Sequence, residues 1–167
     1  FRRVLFRSLG GAAQAQTVTN AQGYYEFTGL KAGLYTLAEV LQNGWQQTDA
    51  PGNVNVTSGT NSQNNDFGNF QLGKISGYKF DDTNGDGIWN GNEDGLSGWT
   101  INLGGAAQAQ TVTDVDGYYE FTGLKAGLYT LAEVLQNGWQ QTLAPGNVQV
   151  TSGTDSKENN FGNFQLG

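Results

Sequence analysis

The chain has 167 residues, of which 26 are glycine and 2 are proline, and a formal net charge of −7. It contains no Cys, no His and no Met, which removes thiolate and imidazole nucleophiles, disulfide bridges and the usual zinc and iron sites, and most hydrolase and redox mechanisms with them. The acidic balance argues against a nucleic-acid partner, whose binding rests on Lys and Arg neutralising phosphates, and no apolar run approaches the ~20 residues needed to span a bilayer.

The first eight residues, FRRVLFRS, hold every arginine of the chain and have no counterpart further on. They read as a strand with a basic edge or, since the join at Leu9 is abrupt, as one translated frame of a sequencing adapter, which they resemble. From there the sequence repeats itself: residues 10–73 align without a gap with residues 104–167 and differ at nine positions. The organisation is a tandem array. Residues 9–73 form a partial unit lacking its first strand and its acidic loop, and residues 74–167 form a complete one. More repeats, a signal and an anchor are expected upstream or downstream of the fragment.

The complete unit reads as β throughout. KISGYKF and GWTINL are short strands on either side of an acidic loop, and TVTDVDGYYEF is strand, Asp/Gly turn, strand, with Tyr119 and Phe121 on one face. GLYTLAEVL places Tyr129, Leu131 and Glu133 on one face and Leu128, Thr130, Ala132 and Val134 on the other. NVQVTSG and NFGNFQLG complete about seven strands in ~94 residues, the size of an immunoglobulin-like sandwich. The fold class is therefore all-β, with tandem immunoglobulin-like β-sandwich repeats. Asp114 and Asp116 suggest a second ion site, but the first copy carries Asn20 and Gln22 there and keeps Gly23, so a turn accounts for both copies.

The acidic loop is DDTNGDGIWNGNEDG, residues 81–95. Counted from Asp82, the residues Asp82, Asn84, Asp86, Gly87, Ile88, Asn90 and Glu93 fit D-x-[DN]-x-[DN]-G-x5-E at every defined position. Alternate residues of such a loop point inward, the glycine makes the bend, Ile88 offers its carbonyl and Glu93 closes the shell with two oxygens. Oxygen-only ligation by several carboxylates predicts Ca2+, held by Asp82, Asn84, Asp86, Ile88, Asn90 and Glu93. The competing reading is a solvated Asx-rich turn. Flanking strands in place of helices make the loop a staple, and Asp81 and Asp94 stand close enough in sequence to add oxygens.

ISGYKFDDTNGDGIWNGNEDGLSGWTINL, followed by TDVDGYYEFTGLKAGLYTLAEV and GNVQVTSGTDSKENNFGNF, resembles the SdrD B-like and Cna B-like repeats of surface adhesins and envelope proteins. The resemblance implies a prealbumin-like β-sandwich and a stalk unit on a cell surface, without implying a particular ligand. It also implies a possible intramolecular isopeptide bond: in Cna B-like modules a first-strand Lys attacks a last-strand Asn while a Glu shuttles protons. The matching residues here are Lys79, Asn163 and Glu133, whose strand parity permits all three to point inward. The alternative is a Lys79–Glu133 ion pair with Asn163 in an ordinary turn.

Trp89, Trp99, Trp139, Tyr118 and Tyr119, beside many Gln and Asn, suggest a carbohydrate-binding face, against which stands their use as core and inter-repeat contacts. Asn55-Val56-Thr57 is a glycosylation sequon absent from the second copy. The reading is a calcium-stapled structural repeat of an extracellular stalk or filament, with a carbohydrate- or protein-binding adhesin module as the alternative. Its partners are neighbouring repeats of the same or identical chains. The partial unit is expected to leave a sheet edge and an apolar face uncovered, open to a strand from another chain.

Overall fold

The computed structural model describes residues 6–167 and divides into two compact units, Phe1–Phe70 and Gln71–Gly167. Residues 1–5 of the adapter-like octapeptide lie outside the described residues. The described chain contains strands, turns and bends but no helix, and so no helix long and apolar enough to cross a membrane.

The first unit comprises β1 (Phe6–Gly11), β2 (Ala15–Val18), β3 (Gly33–Glu39), β4 (Trp45–Asp49), β5 (Val54–Val56) and β6 (Gly68–Gln71). Four of these form a sheet in the order β2-β1-β3-β5, and β4 pairs with β6 in a separate two-stranded ladder. Leu9, Tyr35 and Val56 make its buried core, with Phe27, Leu30, Leu37 and Val54 packed against them. Phe6, Arg7 and Ser8 of the octapeptide extend β1, pairing antiparallel with β2.

The second unit comprises β7 (Gly73–Asp81), β8 (Thr100–Gly105), β9 (Ala109–Val112), β10 (Tyr118–Leu124), β11 (Gly127–Glu133), β12 (Trp139–Leu143), β13 (Val148–Val150), β14 (Asp155–Ser156) and β15 (Phe161–Gln165). One sheet runs β10-β7-β15-β12, with β14 also on β7, and the other runs β13-β11-β8-β9. Ile75, Phe80, Ile101, Tyr129, Val150 and Phe161 are each at most 1% exposed and fill the space between them. At about 1.5–3 kcal/mol per fully buried large side chain, this layer is the main favourable term holding the unit together.

Strand patterning follows position in the sheet. β11 alternates between buried and exposed residues because only one of its faces meets the core. β7 is buried along most of its length because it is the central strand, flanked by β10 on one side and by β15 and β14 on the other. Two glycines there are required by close approach. A Cβ on Gly77 would sit 2.1 Å from the Asn159 carbonyl oxygen, and one on Gly117, whose φ is +77°, would sit 2.2 Å from the Lys79 carbonyl oxygen.

Seven of the nine strands of the second unit match the segments read from the sequence. The two that were missed are β12, WQQTL, and the two-residue β14. β12 carries polar residues on a lightly buried sheet flank, so it lacks the alternation that marks a strand, and β14 is defined by its parallel ladder to β7 alone.

Candidate calcium loop and buried lysine site

The acidic loop is pinched at its base. The Asp81 amide donates to the Asp94 carbonyl at 2.9 Å, and Phe80 bridges to Gly95. Inside, backbone amides converge on side-chain oxygens. Asp82 accepts from the amides of Asp86 at 3.1 Å and Gly87 at 2.8 Å. Asp86 accepts from the Ile88 amide at 2.8 Å, and Glu93 from the Asn90 amide at 2.8 Å. The amides of Asn84 and Asn90 both turn toward the Asp86 carboxylate, at 2.9 and 3.2 Å. Trp89 clamps the outside, its indole N–H donating to the Glu93 carbonyl at 3.0 Å while its ring stacks on Phe80.

Asp82 is fully buried at the mouth of β7. Burial works to raise its pKa, but the neighbouring Thr142 hydroxyl and the amides of Gly87, Asp86 and Gly85 outweigh it and hold the carboxyl below its ordinary value. Asp81 moves the other way, raised by burial and then by the charge of Glu93. Among the described residues no three His, Cys, Asp or Glu side chains converge as a ready-made metal cluster. The loop instead carries three carboxylates, two carboxamides and the Ile88 carbonyl along residues 82–93 without bringing the carboxylates to one point. That donor set is hard and oxygen-only, as calcium requires and as zinc or copper does not.

Asp114 and Asp116 do not join this group. Asp114 Oδ1 accepts from the amides of Asp116 and Tyr118 at 3.0 and 2.9 Å, and Asn20 Oδ1 accepts from Gln22 and Tyr24 at 3.0 Å each. The same Asx turn is thus made in both copies, by aspartate in one and asparagine in the other.

The second site lies in the core. Lys79 on β7 and Glu133 on β11 come from opposite sheets and meet at 3.2 Å, their side chains 0% and 3% exposed. The ammonium also sits over the Trp99 ring, 4.5 Å from its centroid. Burial pushes the Lys79 amine down to about 8, against the pull of the Glu133 charge in the other direction. Asn163 on β15 is fully buried as well, and neither its Nδ2 nor its Oδ1 has a hydrogen-bond partner among the described residues. β15 runs parallel to β7 with Phe161 opposite Lys79 and Asn163 opposite Asp81, so Lys79 and Asn163 are near neighbours on adjacent strands. An unsatisfied buried carboxamide costs about 1–3 kcal/mol, and a buried ion pair must recover its own desolvation. Three such groups in one core carry an energetic cost without an evident structural return.

The five aromatics proposed as a sugar-binding face do not share one. Trp99 and Tyr119 are buried at 3% and 1% exposure, and Trp139 packs edge-on against Trp99 at 5.6 Å. Trp89 is 38% exposed and stands beside Tyr78, Glu93, Asp94, Val115 and Asp116 around an open cleft of about 700 Å³. Asn55 is exposed on β5, which closes one edge of its sheet.

Two-sheet packing, an acidic loop between the first two strands and a Lys–Glu–Asn core define the chain as a repeat module of immunoglobulin-like surface proteins. It belongs to the SdrD B-like domain family, whose model matches residues 71–166. The chain is 30% identical over 165 residues to serine-aspartate repeat-containing protein F of Staphylococcus epidermidis, covering 89% of this chain and 10% of that protein. It is 31% identical over 169 residues to serine-aspartate repeat-containing protein D of Staphylococcus aureus strain Newman, covering 91% and 12% respectively. The chain thus spans about a tenth of the length of these relatives. Among solved structures it is similar to the Bacillus anthracis TIE protein, with TM-score 0.46 and 17% identity over 97% of this chain and 31% of that one. It is also similar to GBS52, the minor pilin of Streptococcus agalactiae, with TM-score 0.42 and 15% identity over 98% and 84%.

Proposed function

We propose that the chain is a structural, non-catalytic segment of an extracellular surface stalk, whose complete unit is stapled twice: by calcium in residues 82–93 and by an amide bond between Lys79 and Asn163. The buried constellation carries this reading. A lysine whose pKa is lowered to about 8, a carboxylate at 3.2 Å and a carboxamide without partners among the described residues are the parts an isopeptide bond uses, and they make poor sense as permanent, separate residents of a core.

The chemistry is self-modification. Lys79 passes a proton to Glu133, and its neutral Nζ attacks Cγ of Asn163. Glu133 then protonates the departing Nδ2, which leaves as ammonia, and takes the second proton from Nζ, so that the linkage is a neutral amide and the Glu133 carboxyl ends protonated. One C–N bond forms, one breaks, and no oxidant is needed. The product removes an ammonium from the core and gives the Asn163 carbon a neutral amide in its place. Calcium would act just beyond the same end of β7, where the strand runs into the loop. Asp82, Asn84, Asp86, Asn90 and Glu93 would hold it through side-chain oxygens and Ile88 through its carbonyl, fixing the loop that otherwise gathers several negative charges.

Intact-mass measurement tests the bond. The linked chain should weigh about 17 Da less than its sequence mass, and Glu133→Ala should restore the full mass. Calorimetry tests the ion: saturating chelator should lower the Tm of the Gln71–Gly167 unit, because a ligand bound only by the folded state stabilises it. A full mass in the parent chain removes the bond, and an unchanged Tm removes the calcium staple.

A further inference from the structure

The two sheets of the complete unit present different outer faces. On the sheet that holds β7, Lys74 and Glu120 form an exposed ion pair and Trp89 lies over Phe80. Among the described residues of the β13-β11-β8-β9 sheet, no outward side chain is charged. Along β11 the outward residues are Leu128, Thr130, Ala132 and, just past its end, Val134, while Tyr129 and Glu133 turn to the core. Leu128 and Val134 are 50% and 47% exposed, and Val112 on the edge strand β9 is 57% exposed. Gln110 donates its carboxamide N–H to Asn102 Oδ1 at 2.7 Å across β9 and β8. An apolar patch with a polar, uncharged centre is the composition of a contact surface.

Charge is confined to the two ends of this face, with opposite signs. β11 is entered from the loop that carries Lys125, and β9 leaves into the turn that carries Asp114 and Asp116, all three exposed. The register makes these opposite ends. Tyr129 stands against Gly105, whereas Glu133 stands against Ile101 and Thr100 against Val112, and the Val134 amide donates to the Thr100 carbonyl at 2.9 Å. Lys125 therefore belongs to the Leu128 end and Asp114 to the Val134 end, about 20 Å away along the strand.

We propose that this face docks the same face of a second copy of the chain, related by a two-fold axis, with β11 antiparallel to the partner's β11. The occupant follows from charge. Copies with a net charge of −7 repel each other, and this face lets them meet without opposing like charges. The antiparallel arrangement sets the Lys125 end of each copy over the acidic end of the other, and the two-fold axis makes that contact twice. A parallel arrangement would set like ends together and is disfavoured. A foreign partner of either net charge would find one end attractive and the other repulsive.

Four short strands at β spacing give a face of roughly 300–400 Å² on each copy. One docked pair of units therefore falls short of the ~1,200 Å² of a stable specific interface and associates weakly. The contact gains strength where identical repeats stand side by side, since each further unit in register adds to the last. The first unit has Leu34, Thr36, Ala38 and Val40 at the corresponding places but Asn20 and Gln22 at the acidic end, which makes it the weaker face. Docking needs only the fold, and neither calcium nor the amide bond; its use between stalks rests on the stalk reading.

Sedimentation equilibrium of the full chain tests this, with circular dichroism of each variant as the check on folding. Expected is reversible association that sets in below about 1 mM. Ala132→Lys, at an exposed position, places like charges at the centre of the contact and should weaken association by about tenfold or more; Thr130→Lys is the second variant and should act alike. Asp114→Asn with Asp116→Gln installs the residues of the first copy, whose Asn20 makes the same turn. This variant should associate roughly threefold to tenfold more weakly and with less salt dependence. All three changes make the net charge less negative, so general repulsion alone would tighten association and not weaken it. Ala38→Lys should have a smaller effect than Ala132→Lys. A chain monomeric at about 1 mM, association indifferent to both lysine substitutions in β11, or loss with Ala38→Lys instead would overturn the docking face. Association unchanged or tightened by Asp114→Asn with Asp116→Gln would overturn the antiparallel arrangement.

Discussion

Raising the pH should stabilise the Gln71–Gly167 unit if Lys79 is still an amine. Its pKa is lowered from 10.5 to about 8 in the folded state by burial, so between those values the folded lysine is neutral while the unfolded one is charged. Unfolding then takes up a proton, and stability climbs with pH by about 1.4 kcal/mol per pH unit. The contribution is fully present above 10.5 and is lost as the pH falls through about 8. From pH 8 to 9.5 the gain is roughly 2 kcal/mol. The window stops there because burial raises the Tyr119 hydroxyl, so ionisation of that tyrosine in the unfolded chain erodes stability at higher pH. The assay is urea unfolding followed by tryptophan fluorescence, for which Trp99 beside the Lys79 ammonium is the natural reporter. Lys79→Met with Glu133→Leu removes the titrating pair and should flatten the profile with little net cost. A chain about 17 Da light should also give a flat profile, because its amide nitrogen no longer titrates in this range. A full-mass chain whose stability is flat or falls from pH 8 to 9.5 would refute the reasoning.

Three further outcomes are expected. Phe121→Ala should cost about 3–5 kcal/mol in urea unfolding, while the identical change at Phe27 should cost less than half as much, since the half-buried ring leaves a smaller cavity. Gly77→Ala should destabilise the second unit by several kcal/mol, as its Cβ meets a backbone carbonyl that no rotamer change can move; the counterpart test is Gly91→Ala, which has open space around it and should change Tm by only a degree or two. Asp86→Ala with Glu93→Ala should abolish the calcium dependence of Tm measured by calorimetry while leaving the circular dichroism of the strands unchanged.

Much of the architecture was legible because the chain carries its own comparison. Two near-identical copies locate the repeat, and alternation in GLYTLAEVL places Tyr129 and Glu133 on the inward face where the structure has them. The family resemblance singled out Lys79, Glu133 and Asn163, and their strand parity permitted the inward position that the structure gives them. Parity could not reveal that Asn163 lacks hydrogen-bond partners among the described residues, since that depends on what β12 and the opposite sheet fail to provide. Nor could composition separate Trp99 and Tyr119 from Trp89. An aromatic on the inner face of a strand and one at the rim of a loop look alike until sheet order is known. That YYEFTGL is a strand at residues 118–124 and irregular backbone at residues 24–30 was beyond any local reading, because the two segments are identical and only their neighbours differ.

The pairing of β7 with β15 has a mechanical consequence. They are the first and last strands of the unit, they lie side by side, and they are parallel, with Phe161, Gly162 and Asn163 against Lys79, Phe80 and Asp81. Tension applied through the chain ends would therefore pull the two strands past each other lengthwise and load their hydrogen bonds together, whereas a zipper arrangement would break them one at a time. The Lys79–Asn163 amide would lie across that same seam. With it closed, load would pass from β7 into β15 through covalent bonds, and the intervening 83 residues would not extend under a tug on the surface they decorate.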